Sequence, residues 1–309
     1  MKKFLVLLLL SVTSYSYSQI DYNYIEPFDQ KVAIKGFLAK KFLFLFHEYD
    51  DKNSRSYMPN NPFEIGLGLS INNTAISFGY GYGFNFLRDK ERGKTSSFDF
   101  QFHHYGRKYT FDIFFQKYKG FYMEDDNSDI EFELCPDLKV QKYGVDAQYI
   151  FNNKKFSYKA AFSQSERQLR SAGSFLLGGG AYYTYIESDT SFIYNEKNYL
   201  KNFQFGVSGG YTYTWVIKRD YFINLSITGG VHFGNETIDR IGKDKLEIYP
   251  SVFPRMSMGY NKEKWSIAFS YLGNMIFPAF AENNSLGLMS GNFQFTYTHR
   301  FDSAPPLSR

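Results

Sequence analysis

The chain has 309 residues, of which 20% are aromatic, including 27 Tyr and 34 Phe. The formal net charge is only +4, and the basic residues are scattered in turns and loops. This composition excludes a disordered polar chain, and it provides no clustered basic face for nucleic acid. Because Cys135 is the only cysteine, no disulfide within the chain can staple the fold.

The first residues have the pattern of a secretory signal. Lys2 and Lys3 precede the apolar run Phe4 to Leu10, and the small residues Ser16 and Ser18 precede Gln19. The run is too short for a membrane anchor, which needs about 20 apolar residues. The sequence therefore predicts a signal peptide over 1–18, a periplasmic lead-in over 19–31, a barrel over 32–301 and a C-terminal tail over 302–309.

Most of the remaining chain alternates apolar and polar residues with a period of two. The clearest case is Phe203 to Gly234, where two such runs flank the turn Lys218-Arg219-Asp220. Almost no segment has the helical periodicity needed for a second layer that would bury the apolar faces. An all-β fold, an antiparallel transmembrane β-barrel with an aromatic outer face and a polar lumen, fits this pattern best.

The other predicted strands follow in chain order. They are a strand over 32–49, hairpins over 63–87, 98–116 and 140–164, a strand over 175–186, a hairpin over 246–272 and a strand over 292–301. Asp50 to Asn61 has loop chemistry, and the hairpin over 140–164 is expected to turn at Asn152-Asn153. This count gives about thirteen strands, whereas bacterial single-chain barrels have an even number. Ser191 to Tyr199 can supply the missing crossing, so about fourteen strands are expected, with twelve as the alternative.

Three stretches resemble an uncharacterised Bacteroidetes-type family of outer-membrane barrels, a domain of unknown function. They are Phe98–Tyr122 (FDFQFHHYGRKYTFDIFFQKYKGFY), Lys155–Leu177 (KFSYKAAFSQSERQLRSAGSFLL) and Gly210–Leu225. The resemblance implies an outer-membrane location and brings no assigned activity, so no functional residues carry over. The last strand resembles the aromatic-ended terminal strand that barrel-assembly machinery recognises, although eight residues follow Phe301.

The strongest candidate for chemistry lies on the hairpin over 98–116. If Tyr105 pairs with Lys108, Gln101 lies opposite Asp112 and His103 lies diagonal to it, within reach. A carboxylate that orients a histidine is half of a nucleophilic triad. No serine with a recognisable nucleophile motif accompanies the pair, so a hydrogen-bonded network in the lumen is the favoured interpretation.

Other inward charges have mixed sign and are expected to cross-link the barrel interior or to line a narrow pore. The full predicted network is Asp99, Gln101, His103, Asp112, Lys142, Asp146, Lys159 and Arg300. Arg167 and Arg170, in the polar stretch Ser165 to Ser174, form a candidate anion-binding loop. The five histidines lack metal-ligand spacing, so neither a metal site nor a cofactor is expected.

We therefore expect an outer-membrane barrel of structural or pore type that acts through its lumen and loops. The expected partners are outer-membrane lipid, lipopolysaccharide and the barrel-assembly machinery, and no small-molecule ligand is identified. A lipid or lipopolysaccharide hydrolase that uses His103 and Asp112 is the second interpretation. A soluble secreted β-protein that serves as a binding module is the third, and it would need about half as many outward aromatics.

Overall fold

A computed structural model of the chain describes residues 20–30, 32–49, 53–71, 74–80, 88–125, 131–235, 246–281 and 284–301. The predicted signal peptide and the C-terminal tail lie outside these ranges. Within them the chain is almost entirely β-strand. The first strands are β1 (Ile25–Pro27), β2 (Val32–Tyr49), β3 (Asn53–Met58), β4 (Glu64–Ile71), β5 (Thr74–Tyr80), β6 (Ser96–Tyr105), β7 (Tyr109–Asp125) and β8 (Glu133–Ile150). The others are β9 (Glu166–Gln168), β10 (Ala172–Glu187), β11 (Tyr199–Ile217), β12 (Tyr221–Asn235), β13 (Glu247–Asn261), β14 (Trp265–Ala279) and β15 (Asn284–Phe301).

Ten of these strands form a closed antiparallel barrel. Each strand pairs with the next in the order β2, β3, β7, β8, β10, β11, β12, β13, β14 and β15, and β15 pairs with β2 to close the ring. Because β15 pairs with β2, neither of these two strands ends the sheet at a free edge. The expected closed antiparallel barrel is confirmed, whereas the ring of the described residues has ten strands, not the expected fourteen or the alternative twelve.

Three further strands extend the wall between β2 and β7. One edge of β2 pairs with β3 near Leu45 and with β4 near Val32, so that these two strands share it. The strand β5 pairs with β4, and β6 pairs with β7. The segment predicted to be a loop over 50–61 therefore contains the strand β3. Its own sequence does not favour a strand, but pairing with β2 and β7 supplies the backbone hydrogen bonds that stabilise one.

The two ends of the barrel differ. The turns β6–β7, β11–β12 and β13–β14 are short and lie at the same end as Val32 and Phe301, as the register of the pairings requires. We call this the tight-turn end. Asp125, Glu187 and Asn235, the last residues of β7, β10 and β12, lie at the opposite end, which we call the long-loop end.

Alternation of the strands places a mostly apolar surface outside and polar side chains inside. Ile227 is 59% exposed, whereas the next residue, Thr228, is 2% exposed. The outward, exposed positions include Ile34, Phe98, Phe100, Phe111, Phe115, Phe205, Trp215, Leu225, Phe269, Phe293 and Phe295. Among the described residues, no helix is long and apolar enough to cross a membrane.

The predicted second arm of the hairpin over 140–164 is not a strand. After Ile150 the chain turns into the barrel, forms one π-helical turn over Lys159–Ser163, and returns through β9 to β10. Phe156 and Tyr158 are fully buried there. The sequence of this segment does alternate as predicted, but the apolar side chains pack inside the lumen instead of facing outward from the wall. Because the second arm of this hairpin does not cross the barrel wall, no additional strand over Ser191–Tyr199 is needed to make the strand count even. The segment is a loop, up to the start of β11 at Tyr199, with one isolated bridge between Tyr194 and Lys197.

Candidate functional site in the barrel lumen

The lumen is closed at the tight-turn end by two segments of the chain, residues 20–30 and 151–171, which we call the plug. The strand β1 from the predicted lead-in pairs with β9, as Ile25 does with Gln168. Four wall strands hold the plug through hydrogen bonds. The bonds run from Lys35 Nζ to Ser163 O (2.5 Å), from Ser257 Oγ to Ala161 O (2.6 Å), between Tyr158 Oη and Ser226 Oγ (2.6 Å) and from Arg300 to Gln164 O.

At the long-loop end the connection over 188–198, which we call the cap, folds over the lumen. The carboxylate of Asp137 accepts hydrogen bonds from Ser188 Oγ (2.5 Å), from the backbone nitrogens of Asp189 (2.7 Å) and Thr190 (2.9 Å), and from Ser191 Oγ. This anchor positions Phe192, which is 1% exposed. Its ring lies 6.1 Å from that of His47 and 6.3 Å from that of Tyr57.

Below the cap the inward side chains are apolar. They form one buried cluster with Phe192 that includes Leu43, Leu45, Tyr57, Phe114, Leu138, Val140, Ile186, Phe253, Ile276 and Leu288. The polar lumen predicted from the sequence therefore occupies only part of the barrel. The continuous apolar run over 43–46 has the same explanation. On this part of β2 the inward side chains belong to the apolar cluster, so the inward and the outward positions are both apolar.

The polar layer between plug and cap is built around Asp112. His103 lies directly opposite Asp112 in the β6–β7 pairing, because Tyr105 pairs with Thr110. The expected register, with Gln101 opposite Asp112, is therefore wrong. The turn is formed by Arg107 and Lys108, one position later than expected, and this shifts the pairing by two residues.

Both oxygens of the Asp112 carboxylate are engaged. His103 Nδ1 lies 2.7 Å from Oδ1, and because an ionised carboxylate can only accept, Nδ1 is the donor. Arg255, on the inner face of β13, donates through Nη2 to Oδ2. Asp112 is 1% exposed, so the ion pair with Arg255 is buried. Sequence reasoning missed Arg255, although the alternation of β13 places it between the inward residues Phe253 and Ser257.

The other predicted members of the network lie in the same layer. Asp99 accepts from Gln101 (3.0 Å), Gln116 (2.9 Å) and Tyr118 (2.6 Å). Asp146 lies directly opposite Asp112 on β8 and accepts from Gln148 (3.2 Å). Lys142 Nζ donates to Ser290 Oγ (2.8 Å) and to Asn274, and it lies over the ring of Phe114.

Two of the predicted charged residues belong to the plug or contact it. Lys159 lies on the π-helical turn, not on the strand where it was expected, because residues after Ile150 leave the wall. Burial lowers the pKa of Lys159; the carboxylate of Glu166 opposes this shift, and Arg107 adds to it. Arg300 lies 3.6 Å above the ring of Phe28 and donates to Ser266 Oγ (2.6 Å).

The candidate anion-binding arginines also contact protein groups. Arg167 donates from Nε to Glu26 Oε2 (2.8 Å) and has Asp220 Oδ1 at 3.4 Å. Arg170 lies 5.8 Å from the ring centre of Tyr24. Both residues hold the plug together, and the charge of Arg167 is already matched by carboxylates.

Chemically, this layer cross-links the wall and leaves little room for a substrate. His103, Arg255, Asn274 and Ser290 line a cavity of about 10 Å³, which is the size of about one water molecule. His103 Nε2 and Arg255 Nη1 have no protein partner within the described part of the chain. No group of three His, Cys, Asp or Glu side chains in the described ranges is placed to hold a metal ion.

The geometry defines a class: a closed antiparallel β-barrel with an apolar exterior and a lumen filled by its own chain. The chain belongs to the family described as Domain of unknown function (DUF4421), whose model matches residues 19–301. The resemblance to an uncharacterised family is thereby confirmed. No curated protein matches the chain.

Several solved structures are similar to the chain at low sequence identity. A bacterial polysaccharide outer membrane secretin is 8% identical with a TM-score of 0.35, over 91% of this chain and 99% of the other. The Pseudomonas putida toluene transporter TodX is 6% identical with a TM-score of 0.26, over 89% and 91%. The Vibrio cholerae outer membrane protein OmpT is 8% identical with a TM-score of 0.24, over 88% and 100%.

Proposed function

We propose that the chain is an outer-membrane β-barrel that is closed to solutes and acts through its outer loops and wall, in a structural or docking role. The observation that carries this proposal is the filled lumen. The plug blocks the tight-turn end, the apolar cluster under Phe192 blocks the long-loop end, and the Asp112 layer cross-links the wall between them.

The exterior supports a location in lipid. Phe175 and Leu67 are more than two-thirds exposed, and Ile227 and Phe100 are more than half exposed. Such a surface in water would carry a large hydrophobic cost, which argues against the soluble binding module. Bacterial barrels place short turns in the periplasm and long loops outside, so the long-loop end is the extracellular end under this proposal. Outer-membrane fractionation, combined with a heat-dependent shift in gel mobility, tests the location and the folded barrel together.

Planar-bilayer conductance tests closure. The unmodified barrel is expected to give no steady single-channel current, because the plug and the apolar cluster under Phe192 fill the two ends of its described lumen. Steady current from this protein, in a preparation that is fully heat-modifiable, would contradict the proposal and favour an open pore.

A gated pore is the second candidate, and one feature favours it. The plug is held by ion pairs and hydrogen bonds, and Thr184, Gln204, Ser208 and Ser251 on the wall have buried oxygens with no protein partner in the described residues. Such oxygens suit a wall that meets water when the plug moves. The test is a Glu26→Gln/Arg167→Gln variant, which removes the plug ion pair, against Lys218→Gln in an exposed turn. Conductance that arises only in the plug variant would favour the gated pore.

The hydrolase interpretation has a separate test. Purified, refolded protein is incubated with phospholipid and with lipopolysaccharide, and released fatty acid is measured. No release is expected, because the cavity beside His103 is too small for an ester substrate. Release that is lost in His103→Ala but retained in Lys218→Gln would overturn the proposal in favour of an enzyme.

A further inference from the structure

A cluster of lysines lies on the outer face of the barrel at the long-loop end. Cross-strand pairing places Ser96 beside Lys119, Lys119 beside Lys139, and Lys139 beside Glu187. In the next row toward the middle of the barrel, Phe98 lies beside Lys117, and Lys117 lies beside Gln141. We call Lys117, Lys119 and Lys139 the basic rim.

The basic rim carries more positive charge than the described residues around it neutralise. Lys139 pairs with Glu187 at 2.8 Å. Lys117 and Lys119 are exposed and form no ion pair with any described residue, and the nearest aromatic partner of Lys117 is the ring of Phe115 at 5.5 Å. Lys201, two strands further on, also rests on aromatic rings, those of Tyr185 and Tyr199.

Lys119 lies directly opposite Lys139, and Glu187 neutralises Lys139 alone, so among the described residues this row keeps one excess positive charge. Like charges at paired positions on neighbouring strands destabilise a sheet. A phosphate group offers several oxygens to ammonium donors at once, and it forms charge-assisted hydrogen bonds stronger than those of neutral groups. The hydroxyl-bearing residues Ser96 and Ser97 line the same surface groove of about 270 Å³.

The surface below the rim suits hydrocarbon. The row that follows Lys117 toward the middle of the barrel consists of Phe100, Phe115, Tyr143 and Tyr183, which are paired across four strands. A ligand of the rim therefore has a phosphate at one end and apolar chains that extend along the wall. At the long-loop end of an outer-membrane barrel, the lipid with this chemistry is the phosphorylated glycolipid of the outer leaflet.

We propose that the basic rim, with Ser96 and Ser97, binds the phosphate of lipopolysaccharide, whose acyl chains lie along Phe98, Phe100 and Phe115. This inference rests on the proposed outer-membrane location. It assigns to the wall a lipid site that is distinct from the lumen and from the arginines of the plug.

The test uses the full mature barrel, refolded into phosphatidylcholine nanodiscs and titrated with lipopolysaccharide, with the bound lipid counted by native mass spectrometry. The variant is Lys117→Gln/Lys119→Gln. The matched control is Lys154→Gln/Lys218→Gln, which removes two charges from exposed positions at the tight-turn end. Heat-modifiability is measured for each protein, so that only folded barrels are compared.

The rim variant is expected to bind lipopolysaccharide on the order of ten- to thirtyfold more weakly, given about three- to fivefold per lysine near a charged lipid surface. The control variant is expected to bind as the unmodified protein does. Dephosphorylated lipopolysaccharide is expected to bind weakly and equally to all three proteins.

Three results would overturn the inference. The first is equal affinity of the rim variant and the unmodified barrel for phosphorylated lipopolysaccharide. The second is displacement of the lipid by millimolar inorganic phosphate, which would indicate a general phosphate site. The third is equal or tighter binding of phosphatidylglycerol. A protein that is absent from outer-membrane fractions would instead refute the proposed function, so the two failures can be distinguished.

Discussion

Replacing Arg255 by Met should destabilise the barrel by about 3–5 kcal/mol, because it leaves Asp112 as a buried carboxylate without its cation. Asp112 and Asp146 are paired directly across β7 and β8, so their side chains approach to about 5 Å at Cβ. Among the described residues, Arg255 is the guanidinium that contacts this pair, and it does so through its ion pair with Asp112 Oδ2. Without it two inward carboxylates face each other in a region that excludes bulk water.

Asp112→Asn should cost less, roughly 1–3 kcal/mol, because Asp146 remains close enough to interact with Arg255. The double variant should cost less than the sum of the single variants by about 0.5–3 kcal/mol, as is usual for residues in contact. The free energy of unfolding is measured by urea titration of the refolded barrel in lipid, followed by the fluorescence of its 2 Trp residues. A larger cost for Asp112→Asn than for Arg255→Met would refute the reasoning, since it would mean that Asp146 does not share the cation.

Three further changes test the faces, the cap and the plug. Ile227→Arg, at an outward position, should cost roughly 2–4 kcal/mol in lipid, whereas Tyr199→Arg near the long-loop end should cost about 1 kcal/mol or less; equal costs in a folding assay would contradict the assigned depth. Asp137→Asn should make the cap, residues 188–198, more accessible to protease and to hydrogen exchange, whereas the exposed control Asp189→Asn should not. Unchanged protection of the cap in both variants would show that Asp137 does not hold it. Phe156→Ala should destabilise the protein by about 3–5 kcal/mol, because Phe156 is fully buried against Tyr158, and a cost below about 1 kcal/mol in the same urea titration would show that the plug is not packed.

The wall of the barrel could be predicted from local alternation because each strand has one face in each environment. The predicted strand over 32–49 and the turn over 218–220 coincide with the observed elements. Period-two alternation carries this information directly, since a shift by one residue would invert a whole strand. The register between strands carries no such signal. Moving the turn by one position on the β6–β7 hairpin changed the partner of Asp112 from Gln101 to His103.

The plug could not be predicted in the same way, because burial in a lumen imitates the pattern of a strand. Phe156, Tyr158 and Ala160 alternate with polar residues, as they would on a wall strand. In the structure these apolar side chains pack inside, where Tyr158 contacts Tyr105 and Phe162. Only the odd number of predicted strands conflicted with a strand in this segment, and an additional predicted strand over Ser191–Tyr199 made the number even instead.

The filled lumen also explains why the candidate catalytic pair does not by itself imply catalysis. His103 and Asp112 have the geometry of a catalytic dyad, but Arg255 takes the second carboxylate oxygen and the adjacent cavity holds about one water molecule. A carboxylate between two cationic or polar donors on three strands is then best understood as a cross-link of the wall. The unmatched lysines outside are different, because lipid can reach them without any movement of the plug or the cap.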